Sequence, residues 1–392
     1  MTTPPRVNVL FLIRTWAFGG SHTIVLHLLK HLPRDQFNIV CVPFRTRGKG
    51  DEEFIREARK RDLPLADERI PWMSRRDWWR ARRAVSDLIE RYAINLIHTH
   101  DPHSNVLIGL GRDRWPCACV ASAYGWWDAL FPLRRTLYTW IESHRALRRF
   151  DRVITVSNHM KGKILRGTTP EERIRVIHTG LDTSALNTGE SRAAARARFG
   201  LPEDAQVVGT VSRLSIEKGH IHLLDAAAAL RDKFPALRLL IVGDGPAKAG
   251  LEAHAAQCGL KERVTFTGFC DNLPAALASM DVFAQPSVQE EGFPTAILEA
   301  QLAGLPVVAS DIGGTCETMH LPDTGLLAPP GDARALAGAL GTLLSAPDRR
   351  ESMGAAARAW VEQSFTLDTM IRQVADTYRE AIEAYRGPGK RP

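Results

Sequence analysis

The chain has 392 residues, 44% of them hydrophobic and 24% charged, with a formal net charge of +7. This length exceeds the usual size of one hydrophobic core, so we expect two domains of a globular protein and exclude a disordered chain. We find no signal-peptide pattern and no uncharged apolar run near the roughly 18 residues of a membrane-spanning helix, which together favour a cytoplasmic protein.

The first half alternates apolar runs with helical patterns. The continuous apolar run Val7–Ile13 predicts a strand buried on both faces, and the pattern Thr23–Leu32 predicts the helix that follows. Further strands are predicted at Phe37–Val42, Ile94–His98, Ala118–Ala121 and Arg152–Val156. Strands that alternate with helices indicate an α/β fold with a parallel sheet covered on both faces.

The second half repeats this organisation. Strands are predicted at Val207–Val211, Leu237–Val242, Val264–Phe266, Val282–Ala284 and Val307–Ala309. The polar stretch Thr188–Ser191 is the predicted boundary, which gives domains at 1–188 and 189–366. A last helix is predicted at Leu367–Tyr385, and the segment 367–386 is a candidate for packing back on the first domain.

The stretch EGFPTAILE, Glu291 to Glu299, places two glutamates on either side of a predicted helix start. Pro294 suits the first turn of a helix, and Thr295–Ala303 is the predicted helix. Helix N-termini favour phosphate, whereas carboxylates favour hydroxyl groups. The pair therefore fits a nucleotide-sugar, with phosphates in the middle and hydroxyls at both ends. Taken alone, the spacing is more typical of one capping glutamate and one solvated glutamate.

Several short motifs occur in an order that resembles the retaining glycosyltransferases of family 4. The motifs are Gly19-Gly20, HTHD ending at Asp101, VSNHMK from Val156, TGLD ending at Asp182, GTVSRLSIEKG from Gly209, GDGP from Gly243, FTGF ending at Phe269, and the stretch from Ser287 to Gly314. Each motif alone is weak, whereas the ordered set spans most of the chain. The resemblance implies the GT-B fold, in which two Rossmann-like domains face each other across a cleft.

The resemblance also implies a function and roles for individual residues. The expected reaction moves a sugar from a UDP- or GDP-sugar to a hydroxyl of a glycan or lipid-linked glycan in cell-surface polysaccharide synthesis. Arg213 and Lys218 would neutralise the leaving diphosphate, while Glu291 would bind the donor sugar and Glu299 the ribose. The other donor-side candidates are Gly19, Gly20, Phe269, Cys270, Gly292, Phe293, Pro294 and Thr295.

No metal and no cofactor are expected at this site, because its cations belong to the chain and no DxD-like cluster is present. The family usually lacks a clear nucleophilic carboxylate, so the implied mechanism is front-face substitution. In that mechanism the donor phosphate helps to deprotonate the acceptor hydroxyl.

The acceptor side is predicted after the strand that ends near His98. His100 is placed among the catalytic candidates, with Asp101 beside it, although a lone histidine is as often structural. Many members of the resembled family carry a histidine after the next strand, where this sequence has Tyr124. This difference, together with His22 and Thr179 at two other motif positions, fits a distinct acceptor pocket.

Charge and aromatic residues concentrate in the first half. Residues 1–190 carry 31 Lys+Arg against 20 Asp+Glu, whereas residues 191–392 carry 20 against 24. Arginines and tryptophans alternate in Trp72–Arg83 and Trp126–Phe150, which is typical of a peripheral contact with an anionic membrane and equally of a core helix with a solvated basic face. The six cysteines form no CxxC pair, so no zinc-ligand set is apparent.

Other functions are less well supported by the sequence. A nucleotide-sugar epimerase on a similar fold is the main alternative, and a phosphorylase would want a longer chain. A nucleic-acid-binding protein would explain the basic half, but no recognition motif or stacking platform is present. A dehydrogenase is disfavoured because GDGPAKAG, from Gly243, is not a G-x-G-x-x-G motif after a first strand.

Overall fold

The computed structural model describes residues 6–14, 19–45, 50–71, 77–125, 132–184 and 190–385. Contacts divide the chain into two units. The first unit comprises Met1–Thr179 and Asp368–Pro392, and the second comprises Gly180–Leu367. Residues 185–189, which include the first two residues of the predicted boundary Thr188–Ser191, lie outside the described residues.

The division falls at Thr179, earlier than the predicted boundary, because Leu181 is tied to the far end of the second unit. The Leu181 N–H donates to the Phe365 carbonyl at 2.8 Å, and the Leu181 carbonyl accepts from the Leu367 N–H at 2.9 Å. Sequence composition marks a polar stretch, but these backbone bonds decide which unit a residue joins.

The first unit contains a seven-stranded parallel sheet in the order β3-β2-β1-β4-β5-β6-β7. Its strands are β1 (Val7–Ile13), β2 (Phe37–Arg45), β3 (Ile70–Pro71), β4 (Leu96–Thr99), β5 (Ala118–Ala123), β6 (Arg152–Thr155) and β7 (Ile174–Val176). Its helices before residue 180 are α1 (Gly20–His31), α2 (Gly50–Lys60), α3 (Asp77–Arg91), α4 (Pro102–Leu110), α5 (Pro132–Ile141) and α6 (Asn158–Leu165). The alternation of strand and helix confirms the predicted α/β organisation.

The second unit contains a six-stranded parallel sheet in the order β10-β9-β8-β11-β12-β13. Its strands are β8 (Gln206–Val211), β9 (Leu237–Val242), β10 (Val264–Gly268), β11 (Val282–Gln285), β12 (Val307–Ser310) and β13 (Gly325–Ala328). Its helices are α7 (Arg192–Arg198), α8 (His220–Leu230), α9 (Lys248–Gln257), α10 (Leu273–Ala278), α11 (Thr295–Leu302), α12 (Ala333–Leu344) and α13 (Pro347–Ser364). The chain ends with α14 (Leu367–Ala384), whose residues from Asp368 onward group with the first unit.

Helices cover both faces of the second sheet, so its central strands are mostly apolar. Along β9, Leu239 and Ile241 enter one core cluster with α8 and α12, whereas Leu240 and Val242 enter a second cluster with α10 and α11. Alternate side chains thus point to opposite hydrophobic layers. This arrangement explains why continuous apolar runs, rather than alternating ones, marked the strands in the sequence.

The α14 helix carries a buried tyrosine into the first unit. The Tyr378 hydroxyl lies 2.6 Å from His98 Nδ1, and its ring packs edge-on against Phe37 with the centroids 5.5 Å apart. Glu380 on the same helix pairs with Arg152 at 2.9 Å and Arg175 at 2.6 Å. None of the described helices combines the length and apolar character that crossing a bilayer demands.

Candidate functional site

The strand order of each sheet reverses at one place, between β1 and β4 in the first unit and between β8 and β11 in the second. Open parallel sheets bind ligands outside the carboxyl ends of their strands at such a point. Strands β8 and β11 pair in parallel, so the segments after them leave the same edge of the sheet. These two segments contain the predicted Arg213, Lys218 and Glu291.

Glu291 lies in a buried polar cluster. Its Oε1 accepts hydrogen bonds from Lys218 Nζ at 2.6 Å, Ser287 Oγ at 2.6 Å and Gln285 Nε2 at 3.3 Å. Glu291 is only 8% exposed, and these donors offset the desolvation cost of its buried carboxylate. Three donors occupy Oε1, so Oε2 is the oxygen that the described contacts leave for hydroxyls of a ligand.

Two close backbone approaches fix the segments that carry Lys218 and Glu291. Gly219 has φ +66°, and a Cβ there would lie 2.0 Å from the Pro286 carbonyl oxygen. Gly313 has φ +61°, and its Cβ would lie 2.3 Å from the Glu291 carbonyl oxygen. Only glycine combines this backbone conformation with such close contact, so both glycines position the lysine–glutamate pair.

Arg213 stands at the more exposed side of the same loop. Its Nη2 donates to Glu217 Oε1 at 2.8 Å, and its side chain is 50% exposed. The Glu217 carbonyl also accepts the Val288 N–H at 2.9 Å, which joins the loop after β8 to the loop after β11. An exposed guanidinium can exchange a carboxylate for a diphosphate at small desolvation cost.

Helix α11 begins at Thr295, as predicted, but Pro294 occupies the N-cap position rather than the first turn. Its backbone is extended, with ψ 102°, while its carbonyl already accepts the Ile297 N–H at 3.2 Å. Glu299 is half-buried one turn inside this helix. Burial raises the pKa of Glu299 from 4.5 to about 7 because desolvation disfavours the charged form.

We expect Glu299→Gln to stabilise the ligand-free protein at pH 8 and to change stability little at pH 5. The folded protein keeps the Glu299 carboxyl protonated up to about pH 7, whereas the unfolded chain keeps it protonated only up to about pH 4.5. The wild-type protein therefore loses stability as pH rises through that window. Across that pH window the free energy of unfolding changes by at most about 3 kcal/mol on account of this carboxyl. Melting temperatures at both pH values measure it, with the exposed Glu252→Gln as control. An equal shift at both pH values would contradict the expectation.

The remaining donor-side candidates of the second unit differ in exposure. Phe269 is 74% exposed, whereas Phe293 is buried and packs its ring against Phe365 at 5.5 Å between centroids. Cys270 and Gly292 are half-buried, and Cys270 packs against the core cluster beneath α10. An exposed ring such as Phe269 offers a flat apolar surface for a nucleotide base.

In the first unit, His100 directly follows β4 and lies beside a second histidine, His98. His100 Nδ1 lies 2.8 Å from the Tyr124 hydroxyl, and its buried Nε2 has no hydrogen-bond partner among the described residues. Burial lowers the pKa of His100 well below its usual value, with the neighbouring His98 adding to the effect, so the ring is neutral. His98 bonds Tyr378 and Ser122 with its two ring nitrogens, which gives it a structural role.

Asp101 serves as the N-cap of α4. Its Oδ1 accepts the His103 and Ser104 N–H groups at 2.8 Å and 3.1 Å, and its Oδ2 accepts the Arg14 N–H at 2.9 Å. Both oxygens are therefore engaged by the chain itself. We now interpret Asp101 as a residue that holds the β4–α4 turn and His100 in place, rather than as an acceptor contact.

The glycine pair precedes α1. Gly19 is its N-cap residue, Gly20 is its first residue, and the Gly19 N–H donates to His22 Nδ1 at 3.2 Å. Burial lowers the pKa of His22 to about 4, so the ring is neutral at physiological pH. Apart from its chain neighbours, no described residue has an atom within 4 Å of a Cβ built on Gly19, so the described part of the chain leaves room there for close approach by a ligand.

Comparison with known proteins shows the family to which the chain belongs. Residues 18–185 match the family model of Glycosyltransferase Family 4, and residues 191–360 match that of Glycosyl transferases group 1. A GDP-mannose-dependent alpha-(1-6)-phosphatidylinositol monomannoside mannosyltransferase of Mycolicibacterium smegmatis is 34% identical over 284 residues, 68% of this chain and 72% of the relative. The chain belongs to glycosyltransferase family 4.

Other similar proteins match this family 4 chain over different lengths. A 2-deoxystreptamine glucosyltransferase of Streptomyces kanamyceticus is 40% identical over 173 residues, which is 43% of this chain and less than half, 44%, of the relative. The structure of Anabaena HepE with UDP-glucose has a TM-score of 0.82 and 25% identity, and the match covers 95% of this chain and 100% of HepE. This likeness confirms the predicted fold family.

Two residues that contact Glu291 in this family 4 protein were not among the site residues predicted from the sequence. Gln285 ends β11 and Ser287 follows it, and both donate to Glu291. The only sequence signal was their position directly after a buried strand, where parallel sheets place ligand-binding residues. Of the predicted residues, the structure brings Lys218 and Glu291 into direct contact.

Proposed function

We propose that this protein is a retaining glycosyltransferase that moves a sugar from a nucleoside-diphosphate-sugar to a hydroxyl acceptor. The observation that carries the proposal is the Lys218–Glu291 contact at the carboxyl ends of β8 and β11. A cation and a carboxylate held side by side match the two chemically different parts of such a donor, the diphosphate and the sugar hydroxyls.

The cations act on the leaving group. As the bond from the anomeric carbon to phosphate oxygen breaks, negative charge grows on the diphosphate, and Lys218 and Arg213 stabilise it. Donor binding draws Lys218 from Glu291 toward phosphate, and Ser287 and Gln285 keep the carboxylate in place. Glu291 Oε2 then accepts hydroxyls of the donor sugar, while Glu299 accepts those of the ribose.

The anomeric configuration is retained because the acceptor attacks the same face of the sugar from which the leaving group departs. The acceptor oxygen forms its bond to the anomeric carbon as the phosphate oxygen leaves, and the acceptor proton passes to that phosphate oxygen. No protein nucleophile and no metal take part in this proposed step. The neutral His100, held by Tyr124, is the proposed hydrogen-bonding group for the acceptor.

We propose a glycan or lipid-linked glycan as acceptor, in the synthesis of cell-surface polysaccharide at the inner face of the membrane. The lipid in the name of the mannosyltransferase relative supports this class. Exposed Trp79 (65%), Leu137 (61%) and Trp140 (45%) support a peripheral membrane contact, with Arg145 lying 5.7 Å from the Trp140 ring centroid. Flotation with anionic and neutral liposomes tests this contact, and equal absence of binding to both would remove it.

Titration of UDP-, GDP- and ADP-sugars in the presence of EDTA tests the proposed reaction. We expect one nucleotide to be preferred, and binding to weaken about 10-fold or more in Arg213→Ala, since hydrogen bonds to charged groups contribute about 1.5–3 kcal/mol. Arg198→Ala, another exposed arginine of this unit, is the matched control.

Product analysis distinguishes the alternatives. Release of free nucleoside diphosphate only when a hydroxyl acceptor is present supports the transferase. An epimerised sugar that stays attached to its nucleotide would instead favour the epimerase. DNA binding without any nucleotide-sugar binding would favour a nucleic-acid-binding protein.

A further inference from the structure

A group of three potential metal ligands lies in the second unit and shares no residue with the proposed donor site. Asp225 is on α8, His254 is on α9, and Cys258 caps the end of α9. All three are half-buried, and their carboxylate, imidazole and thiol atoms lie within 4.8 Å of one another. Arg231 Nη1 donates to the Cys258 carbonyl at 2.6 Å, which holds the end of α9 against the end of α8.

One nitrogen of His254 faces both partners. His254 Nε2 lies 2.6 Å from Asp225 Oδ1 and 3.5 Å from Cys258 Sγ, and Sγ lies 4.0 Å from Oδ1. A nucleophilic Cys–His–Asp relay requires the cysteine and the aspartate on opposite ring nitrogens. The three atoms here converge on one point instead, which excludes a relay in this arrangement and places three potential ligand atoms within reach of one ion.

We propose that Asp225, His254 and Cys258 bind a divalent metal ion of the zinc class. Tetrahedral zinc holds N, O and S ligands at about 2.0–2.3 Å, which places the ligands about 3.3–3.7 Å apart. The 3.5 Å between Cys258 Sγ and His254 Nε2 falls in this range, and the 4.0 Å between Sγ and Asp225 Oδ1 is slightly longer. The 2.6 Å between Nε2 and Oδ1 is shorter, and it lengthens when a metal replaces the proton that His254 and Asp225 share. The Asp225 side chain is 41% exposed and that of His254 26% exposed, so water can take the fourth position.

This proposed site differs from the expectation drawn from the cysteine spacing. His254 and Cys258 lie one turn apart on one helix, and the third ligand comes from another helix, so no CxxC pair is needed. Binding would cross-link α8 and α9 and release the thiol proton, while the proton of the neutral His254 ring would move from Nε2 to Nδ1. Affinity should therefore rise with pH, and the ion should raise the melting temperature without entering the sugar-transfer step.

Titration of the full metal-stripped chain with Co²⁺, followed by displacement with Zn²⁺, tests the site. We expect one equivalent to give a thiolate-to-cobalt charge-transfer band and the visible bands of four-coordinate cobalt. Cys258→Ser should lose the charge-transfer band, and zinc affinity should fall by more than the roughly 10–100-fold typical of an outer-shell change. His254→Gln and Asp225→Asn should also weaken zinc binding.

The matched control is Cys316→Ser, which removes an exposed thiol outside the cluster and should leave the cobalt spectrum unchanged. Absence of a thiolate band in the wild-type protein, or its persistence in Cys258→Ser, would overturn the proposal. Circular dichroism checks that each variant folds. Nucleotide-sugar binding by Cys258→Ser in EDTA is measured separately, so failure of the metal site is distinguishable from failure of the proposed transferase.

Discussion

Lys218→Met is expected to lower kcat/KM by about 10²–10³-fold, because it removes a preorganised cation from the point where the leaving diphosphate gains charge. It should also destabilise the protein by about 1–3 kcal/mol, since the Glu291 carboxylate loses a charged partner while it stays buried. Steady-state kinetics and denaturant unfolding measure the two effects. The exposed Lys233→Met controls for loss of a lysine from the same unit.

A second variant separates the two effects of Lys218. Lys218→Met combined with Glu291→Gln replaces the unpaired carboxylate with a neutral amide that Ser287 can still contact. We expect the free energy of unfolding to recover and kcat/KM to stay below that of the Glu291→Gln single variant, which lacks the same carboxylate but keeps the lysine. If activity returned together with stability, the lysine would be a structural partner of Glu291 and not a stabiliser of the leaving group.

Gly313→Ala is expected to lower kcat/KM by about 10²-fold and to destabilise the fold by more than the roughly 1–2 kcal/mol of a left-handed alanine. Its new Cβ would lie 2.3 Å from the carbonyl oxygen of Glu291 and 2.7 Å from its nitrogen, with φ at +61°. The backbone of Glu291 must therefore move, and the carboxylate moves with it. Kinetics with the preferred donor and thermal unfolding give the two readouts.

Gly304→Ala is the matched control for this substitution. Gly304 has φ +78°, but nothing lies within 4 Å of its Cβ, so the variant carries the backbone strain without the collision. We expect a modest loss of stability and nearly normal kcat/KM. Equal losses of activity in the two variants would show that the approach of Gly313 to Glu291 does not position the carboxylate.

Long buried strands were the most predictable part of this fold. The predicted bounds of Val7–Ile13 and Leu237–Val242 match β1 and β9, because each is an apolar run with one polar residue near its start and sits between two helical layers. The strands β3, β7 and β13 were not predicted. They are two to four residues long and partly exposed, so they carry too little periodicity to be recognised.

The sequence by itself determined the α/β alternation, the family and the identity of the lysine and glutamate that meet after β8 and β11. Those features follow from local apolar runs and ordered motifs, which need no knowledge of packing. Tertiary structure alone decided that Ser287 and Gln285 hold Glu291, that Tyr378 reaches His98, and that Asp225 joins His254 and Cys258. Side chains far apart in the chain meet only when sheet order and helix packing set their positions, and no local pattern encodes that distance.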